Sequence, residues 1–267
     1  MLWDTHMHCY FSDDCDTPPI QMVEAAIRRG LTGICFTDHL DKDYPDAPEK
    51  WFIDFDQYQK EIYQLKELYK DKLEILWGIE LGMQPHLDQF YLDITNKHPF
   101  DFVISSSHAL DGRDLYQGGY FQEYPEEVAY RRYFEYLLEN INTALDYDVY
   151  GHLDYVVRYG PNKNLHYSYE KYADIIDEVL KALIARGKGI EINLSGFRYG
   201  MGHPHPTEDI LLRYRQLGGE IITVGSDSHT PGHIALSNYE KVPALLETAG
   251  FKYYTVFKNR KAHFLKL

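Results

Sequence analysis

Basic residues are scarce in this chain, and their scarcity excludes whole classes of partner. The 267 residues include 27 Lys and Arg against 41 Asp and Glu, which gives a formal net charge of −14 at pH 7. Nucleic acids and anionic membrane surfaces are bound by positively charged surfaces that meet phosphate groups and displace counterions. The sequence therefore predicts no nucleic-acid partner and no membrane partner.

Cysteines are few, and long apolar runs are absent. Cys9, Cys15 and Cys35 are odd in number and form no Cys-x-x-Cys pair, which argues against a disulfide framework and indicates a reducing compartment. No apolar stretch approaches the roughly 20 residues of a membrane-spanning helix. The N-terminal MLWDTHMHCY lacks the basic region and apolar run of a signal peptide. We therefore expect a cytoplasmic protein.

The chain does contain enough apolar material for one large core. Hydrophobic residues make up 44% of the sequence, and the 24 tyrosines are unusually many. We expect most tyrosine rings to pack with their hydroxyl groups at the surface, and the sequence assigns them no function. No linker, internal repeat or low-complexity segment divides the chain, so residues 1–267 are predicted to form a single domain.

Apolar runs alternate with segments of helical periodicity. Strands are predicted at 2–3, 33–36, 73–79, 102–105, 148–151, 189–193, 221–225 and 253–257, with helices at 18–29, 55–69, 87–95, 125–145, 169–185 and 207–217. About seven strand-then-helix units imply a parallel sheet. Polar residues follow nearly all of these strands, and a closed barrel brings every strand end together, whereas an open sheet has its site mainly at one switch point. We therefore favour an α/β barrel.

Paired ligand-type residues mark the first and seventh strands. His6 and His8 lie two residues apart, so on an extended segment both imidazoles point the same way and can bind one metal ion. Asp227 and His229 repeat this spacing after the seventh strand. Each pair alone is a weak signal, but the two together at strand ends favour a metal site.

Further candidates follow the strands between these pairs. Glu80 ends an apolar run, where an unpaired buried carboxylate is costly and a position between two cations would stabilise it. His39, His108 and His152 each follow a strand of their own. A single histidine of this kind is more often a hydrogen-bonded core residue. The complete set at successive strand ends, however, is typical of a multi-metal hydrolase.

The ordered motifs DTHMH, SDD, TDH, GIELG, SSSHAL, GHLD and SDSH resemble those of the polymerase and histidinol phosphatase (PHP) family, most closely its histidinol-phosphatase branch. The resemblance extends from Asp4 to His233. It implies a distorted (β/α)7 TIM-like barrel with two to three divalent metal ions at the C-terminal ends of the strands. Zn, Fe and Mn all accept mixed His and carboxylate ligands, and no organic cofactor is expected.

The resemblance also implies a ligand set. The first metal would be held by His6, His8, Glu80 and Asp227, the second by Glu80, His108 and His152, and the third by Asp14, His39 and His229. Asp14 stands where some relatives have His, its neighbour Asp13 is an alternative ligand, and an oxygen ligand in place of nitrogen changes which metal is preferred. Asp4 and Asp38 are predicted to orient ligands rather than to bind metal.

Two arginines resemble phosphate-handling positions. Arg158 stands in GHLDYVVRYG and Arg198 in EINLSGFRYG, and a guanidinium group suits bidentate binding of phosphate oxygens. Asn193 and Ser195 would add hydrogen bonds. The alternative for both arginines is a surface salt bridge. The histidines that match no ligand motif are His86, His98, His166, His203, His205, His233 and His263.

These residues predict a metal-dependent phosphomonoester hydrolase. A hydroxide bridging the metals would attack phosphorus in line, the metals and both arginines would stabilise the phosphoryl oxygens, and His229 or Asp227 would move the proton. The family resemblance indicates L-histidinol phosphate as substrate, a role in histidine biosynthesis, and a monomer or small homo-oligomer.

Other functions stay open at this point. One is a PHP-family phosphatase that acts on another small phosphomonoester or on protein phosphotyrosine. A nuclease would need a basic groove, and a non-catalytic metal-binding domain would have broken ligand positions. Amidohydrolases share the His-x-His motif but usually bridge their metals through a modified lysine, in the place that Glu80 would take here.

Overall fold

The computed structural model describes residues 3–45, 47, 49–116, 119–235 and 238–267. The strands are β1 (Trp3–Met7), β2 (Gly33–Phe36), β3 (His39–Leu40), β4 (Glu74–Gly82), β5 (Phe102–Ser106), β6 (Ala109–Leu110), β7 (Arg113–Asp114), β8 (Val149–Tyr150), β9 (Gly189–Asn193), β10 (Ile222–Gly225), β11 (Tyr253–Lys258) and β12 (Lys261–Lys266). The α-helices are α1 (Pro19–Arg28), α2 (Phe55–Tyr69), α3 (Asp88–Lys97), α4 (Gly119–Glu123), α5 (Glu126–Ile141), α6 (Ala173–Ala185), α7 (Ser195–Arg198), α8 (Glu208–Gln216) and α9 (Val242–Thr248). Single 3₁₀ turns lie at Pro85–Leu87, Tyr155–Tyr159, Lys163–Leu165, Tyr169–Tyr172 and Tyr239–Lys241.

The main sheet has the strand order β1-β2-β4-β5-β8-β9-β10, with β3 beside β4. Its strand pairings are all parallel. The two outer strands of this order also meet, since the Thr5 hydroxyl donates to the Val224 carbonyl at 3.0 Å. Beyond the strand ends, the amide of His8 donates to the carbonyl of Ser228 at 2.9 Å. The seven-stranded barrel predicted from the sequence is confirmed.

Helix α2 illustrates how the sequence covers the barrel. The Asp54 side chain accepts a hydrogen bond from the Gln57 amide at 3.1 Å and so caps the first turn. Tyr58, Ile62 and Leu65 recur at helical spacing and are all buried. The helix therefore places one apolar stripe on the outside of the barrel and leaves its other faces to solvent.

The expectation of surface tyrosine hydroxyls is wrong for many of the rings. Tyr58, Tyr91, Tyr130 and Tyr150 are among the largest fully buried side chains. The Tyr58 hydroxyl donates to the Gly78 carbonyl at 3.2 Å, and that of Tyr91 donates to Gly82 at 2.9 Å. Backbone carbonyls near the strand ends thus satisfy these hydroxyls inside the protein.

The boundaries of several elements differ from the sequence prediction, among them those of three strands. Strand β1 continues through His6 to Met7, because it pairs with β2 well past the predicted end at Trp3 (Leu2 lies outside the described residues). Strand β4 runs through Glu80 to Gly82. The tail forms an antiparallel β11–β12 hairpin, and β12 is missing from the prediction because its mixed, largely exposed residues lack a clear alternation. In the described part of the chain, no helix is both long and apolar enough to cross a membrane.

Candidate metal centre

The first group of predicted ligands meets where β1 and β10 end. His6 Nε2 lies 3.1 Å from His8 Nε2 and 3.1 Å from Glu80 Oε2. Asp227 Oδ1 lies 3.5 Å from His8 Nε2 and 3.9 Å from His6 Nε2. All four side chains are buried. Two imidazole nitrogens and two carboxylate oxygens thus face one shared point, and this donor set fits a divalent cation.

Glu80 lies between two groups of histidines. Its Oε1 atom is 3.0 Å from His152 Nε2 and 3.3 Å from His108 Nε2. Its Oε2 atom faces His6 instead, and also lies 3.0 Å from His39 Nδ1. Because each oxygen faces a different set of imidazoles, the geometry is that of a carboxylate between two cation positions.

A third group forms at the outer edge of the cluster. Asp14 Oδ2 lies 3.2 Å from His229 Nε2 and 3.9 Å from His39 Nε2. The neighbouring Asp13 points elsewhere and accepts a hydrogen bond from the Trp51 amide. Of the two aspartates left open by the sequence, Asp14 is therefore the one at the cluster.

The three predicted groups are not separate in space. The imidazole of His8 stacks on those of His39 and His229, with ring centroids 4.1 Å apart in both cases. Three donor sets have ligand atoms within 4.8 Å of one another, namely His8/His39/His229, His6/His8/Glu80 and His39/Glu80/His108. The structure thus brings every predicted metal ligand into one continuous cluster.

The buried acids and imidazoles of the cluster shift one another's pKa values. Burial raises the pKa of the Glu80 carboxyl, but His6, His39 and His108 together hold it well below its ordinary value. Burial lowers the pKa of His152 and contributes most to the low pKa of His8. The neighbouring carboxylates, by contrast, raise the pKa values of His6, His39 and His108 against the effect of burial. These three imidazoles would therefore release a proton when a metal ion binds in its place.

Asp38 and Asp4 contact the ligand segment as the sequence predicts. His8 Nδ1 pairs with the Ser12 hydroxyl at 3.1 Å, and that hydroxyl donates to Asp38 at 2.8 Å. The Asp4 carboxylate accepts hydrogen bonds from the backbone amides of His6 at 3.3 Å and Ser226 at 2.9 Å. Both carboxylates fix the positions of nearby groups and do not face the points that the metal-type donor atoms of the cluster share.

Glu191 was missed by the sequence analysis. Its Oε1 atom lies 2.6 Å from His6 Nδ1, and its Oε2 atom accepts hydrogen bonds from the His152 amide at 3.1 Å and from Asn193 Nδ2 at 3.0 Å. A Cβ atom on Gly225 would come within 2.3 Å of both Glu191 and His6, so only glycine allows this approach. The available signal was a charged residue inside the buried strand GIEIN, which needs a partner.

Asp41 is the second missed residue. Its Oδ1 atom lies 2.7 Å from His108 Nδ1, on the side of the ring away from Glu80. Burial raises the pKa of Asp41, but hydrogen bonding and charge from His108 and His39 lower it overall. Carboxylates commonly orient ligand histidines in this way. The segment TDHLD, with an acid two residues after His39, carried the signal.

The two predicted phosphate-binding arginines have different surroundings. Arg158 lines a cavity of about 530 Å³ that also includes His39, His108 and Asp227. Its guanidinium donates to the Tyr159 hydroxyl at 2.6 Å and to the Ser195 hydroxyl at 3.5 Å, and its Nε atom has no hydrogen-bond partner among the described residues. In the described ranges, no carboxylate lies within 4.0 Å of it.

Arg198 is instead bound to the backbone. Its two terminal nitrogens donate to the carbonyls of Ser226 at 2.9 Å and Asp227 at 2.7 Å. Asp227 has a φ of 53°, a left-handed conformation that a non-glycine residue keeps only when its surroundings hold it. Neither arginine forms the surface salt bridge considered as the alternative in the sequence analysis, as far as the described residues show.

The predicted hydrogen-bonding residues form part of this framework. Asn193 Oδ1 accepts from the Ser195 amide at 2.9 Å, and its Nδ2 atom lies 3.5 Å from Asp227. Of the histidines left unassigned, His205 pairs with the buried Asp154 and His203 lies 3.0 Å from Asn164 Oδ1. The latter two histidines therefore have partners of their own outside the cluster.

A closed parallel barrel whose strand ends gather imidazoles and carboxylates around shared points is a barrel with a candidate metal centre. A model of the PHP domain matches residues 4–195, and the chain belongs to the PHP family. The family resemblance expected from the sequence motifs is thereby confirmed.

Relatives match over nearly the full chain. The sequence is 34% identical over 263 residues to a histidinol-phosphatase of Lactococcus lactis subsp. lactis (strain IL1403), covering 97% of this chain and 95% of the relative. It is 32% identical over 255 residues to a probable histidinol-phosphatase of Clostridium acetobutylicum, covering 94% and 95%. A crystal structure of the L. lactis histidinol phosphate phosphatase, complexed with Zn, L-histidinol and phosphate, has a TM-score of 0.91 at 33% identity and covers 98% of both chains.

Proposed function

We propose that this protein is a metal-dependent histidinol-phosphatase, which hydrolyses L-histidinol phosphate to L-histidinol and phosphate. The observation that carries the proposal is one cavity lined both by metal-type ligands and by Arg158, which has no carboxylate within 4.0 Å among the described residues. A phosphomonoester dianion can be bound by metals and by a guanidinium group at once. The relatives that match nearly the whole chain are named for this activity.

Two to three divalent ions, with Zn, Fe or Mn as candidates, would occupy the cluster. The proposed ligands are His6, His8, Glu80 and Asp227 for one ion, Glu80, His108 and His152 for a second, and Asp14, His39 and His229 for a third. Such metals supply Lewis-acid stabilisation of the phosphoryl group and a nucleophile derived from water near neutral pH. No organic cofactor is needed for this chemistry.

The chain's own residues would bind and orient the substrate. Arg158 offers N–H donors to the phosphoryl oxygens from the wall that faces the metal ligands. Arg198 keeps N–H groups beyond the two that hold the backbone carbonyls, and these add to phosphate binding. Asn193 holds the Ser195 amide in place, while the Ser195 hydroxyl lies next to Arg158. Asp227 and His229 line the cavity and are the candidates for giving a proton to the leaving oxygen.

An acidic wall supports a cationic amino alcohol as the organic part of the substrate. Asp114 and Asp41 line the cavity, and Asp114 is itself buried and accepts a hydrogen bond from the Tyr116 amide at 2.7 Å. Together with the net charge of −14, these carboxylates attract an ammonium or imidazolium group and disfavour a second anion.

The direct test is phosphate release from L-histidinol phosphate, measured beside other small phosphomonoesters, a phosphotyrosine peptide and a phosphodiester, with Zn or Mn added. We expect kcat/KM for L-histidinol phosphate to exceed that of the others by about a hundredfold, or about 2.7 kcal/mol. Equal, slow hydrolysis of all phosphomonoesters would contradict the substrate assignment. Faster hydrolysis of the phosphodiester or of the phosphopeptide would instead assign that compound class as the substrate.

A further inference from the structure

One tyrosine ring contacts both a proposed metal ligand and the unpaired arginine. The ring of Tyr155 stacks on the imidazole of His152, with centroids 4.5 Å apart and planes inclined by 30°. The guanidinium carbon of Arg158 lies 4.1 Å from the centroid of the same ring. One aromatic side chain therefore lies in contact with both His152 and Arg158.

Two more tyrosines surround the same guanidinium group. The carbon Cζ of Arg158 lies 4.2 Å from the ring centroid of Tyr199 and 4.8 Å from that of Tyr159. The Tyr159 hydroxyl accepts a hydrogen bond from Arg158 Nη2 at 2.6 Å and donates in turn to the Tyr155 hydroxyl at 2.9 Å. We call Tyr155, Tyr159 and Tyr199 the tyrosine cage.

The local sequence explains why these side chains meet. Tyr155 and Arg158 lie three residues apart on the 3₁₀ turn Tyr155–Tyr159, and in a 3₁₀ helix side chains at i and i+3 lie directly above each other. Tyr199 approaches from the next strand-to-helix connection, directly after α7. The cage is thus assembled from two loops at the C-terminal ends of β8 and β9.

Tyrosines hold an arginine differently from a carboxylate. A carboxylate would fix the guanidinium group but would also neutralise it and occupy the N–H donors that a phosphoryl group needs. Aromatic faces attract the cation through their quadrupole and leave most of its donors free. The cage can therefore position the charge without competing with an anionic ligand.

We propose that Tyr155, assisted by Tyr159 and Tyr199, is a positioning residue that holds Arg158 at a fixed distance from the metal cluster and keeps its charge available to the phosphoryl group. This inference rests on the proposed function, in which Arg158 binds the phosphoryl oxygens.

The test compares Tyr155→Leu with Tyr155→Phe in the metal-loaded protein. The Phe variant keeps the ring and loses only the hydroxyl, so we expect its affinity for inorganic phosphate, measured by calorimetry, to stay within about threefold of the parent. The Leu variant removes the aromatic face, and we expect phosphate to bind about tenfold more weakly. The metal content of both variants should stay close to that of the parent.

The Arg158→Ala background separates positioning from general packing. If Tyr155 acts through Arg158, Tyr155→Leu should weaken phosphate binding in the parent and have no further effect in Arg158→Ala. Equal losses in both backgrounds, or unchanged phosphate affinity in Tyr155→Leu, would overturn the proposal. Should Tyr155→Leu fail to fold, Tyr199→Leu at a half-exposed ring gives the same comparison. We expect this variant to bind phosphate about threefold more weakly in the parent and to have no further effect in Arg158→Ala.

These experiments use inorganic phosphate and do not depend on which phosphomonoester is hydrolysed. A failure of L-histidinol phosphate in the substrate panel would therefore leave the result on Tyr155 intact. An absence of any phosphate binding by the metal-loaded parent would instead contradict both proposals.

Discussion

The metal-ligand wall consists of the proposed metal ligands, and the arginine wall consists of Arg158 with the tyrosine cage. Both border the same cavity, but they hold their charged groups in opposite ways. On the first wall, Glu80 and its histidines pair with one another and with orienting carboxylates such as Glu191. On the second, Arg158 is held by tyrosine rings, with no carboxylate close to it in the described ranges. The first wall combines carboxylates with imidazoles, a donor set that suits cations, whereas the second presents a guanidinium group without an ion-pair partner among the described residues. In the proposed function, a phosphate ester would contact the metal ions on the first wall and Arg158 on the second.

The two arginines repeat this contrast on a smaller scale. Arg158 and Arg198 follow consecutive barrel strands and look equivalent in the sequence, yet Arg198 holds the carbonyls of Ser226 and Asp227. It therefore belongs partly to the metal-ligand wall, because Asp227 is one of the proposed ligands. The consequences of removing each residue should differ accordingly.

The largest effect is expected from breaking the metal-ligand wall at its centre. Glu80→Ala removes the carboxylate between the two histidine groups, so bound metal should fall and phosphate release should drop by at least about 10³-fold, or about 4 kcal/mol in the barrier. Metal analysis and initial rates measure this. Glu67→Ala, at an exposed position on α2, is the matched control and should change neither. Full metal content and activity in Glu80→Ala would mean that the site assignment is wrong.

Removing the Arg158 side chain from the arginine wall should lower catalytic activity and leave metal binding intact. For Arg158→Ala we expect kcat/KM to fall by about 10²-fold, since charge-assisted contacts to the phosphoryl group are lost. The metal content should match that of the control Arg28→Ala on the exposed surface of α1. Loss of metal from Arg158→Ala would show that the two walls are not independent.

Arg198→Ala should combine both kinds of effect. Loss of the hydrogen bonds to two backbone carbonyls is expected to destabilise the loop by about 2 kcal/mol, which lowers the melting temperature by about 4 to 8 °C for a chain of this size. Activity should fall about tenfold because Asp227 is held less firmly. Calorimetry and kinetics on the same preparation measure both. An unchanged melting temperature would place Arg198 with Arg158 as a ligand of phosphate alone.

The smallest change tests an orienting residue of the metal-ligand wall. Glu191→Gln keeps the shape of the side chain but weakens its hydrogen bond to His6, so we expect metal affinity to fall about tenfold. Competition with a chromophoric chelator measures the affinity, and Glu220→Gln at an exposed position serves as control. Equal metal affinity in the two variants would exclude an orienting role for Glu191.

The barrel and the grouping of the ligands can both be predicted from the sequence, because both follow from the order of strands and helices along the chain. Alternating strands and helices imply a parallel sheet, and residues at parallel strand ends must meet at one edge. His6 and His8 share a direction because side chains alternate along a strand. The structure gathers all the predicted ligands at the barrel mouth, while their binding of metal stays a prediction.

Features that depend on contacts between distant strands could not be predicted in the same way. Glu191 reaches His6 from a strand 185 residues away, and a single acid in an apolar run does not reveal its partner. The backbone contacts of Arg198 depend on the conformation at Asp227, for which the sequence gives no sign. The tyrosine cage could not be predicted, because the sequence has 24 tyrosines and does not indicate which three of them surround Arg158.

The seam between β1 and β10 has a consequence for how the protein is made. His6 lies in the first barrel strand and His8 directly follows it, whereas Asp227 and His229 follow the last strand. The Asp227 amide joins the two ends by donating to the His6 carbonyl at 2.8 Å. During synthesis on the ribosome, more than two hundred residues are added after β1 before β10 is made. The proposed metal position at this seam is therefore complete only once β10 and Asp227 have been synthesised, and a chain that ends before β10 would lack this ligand.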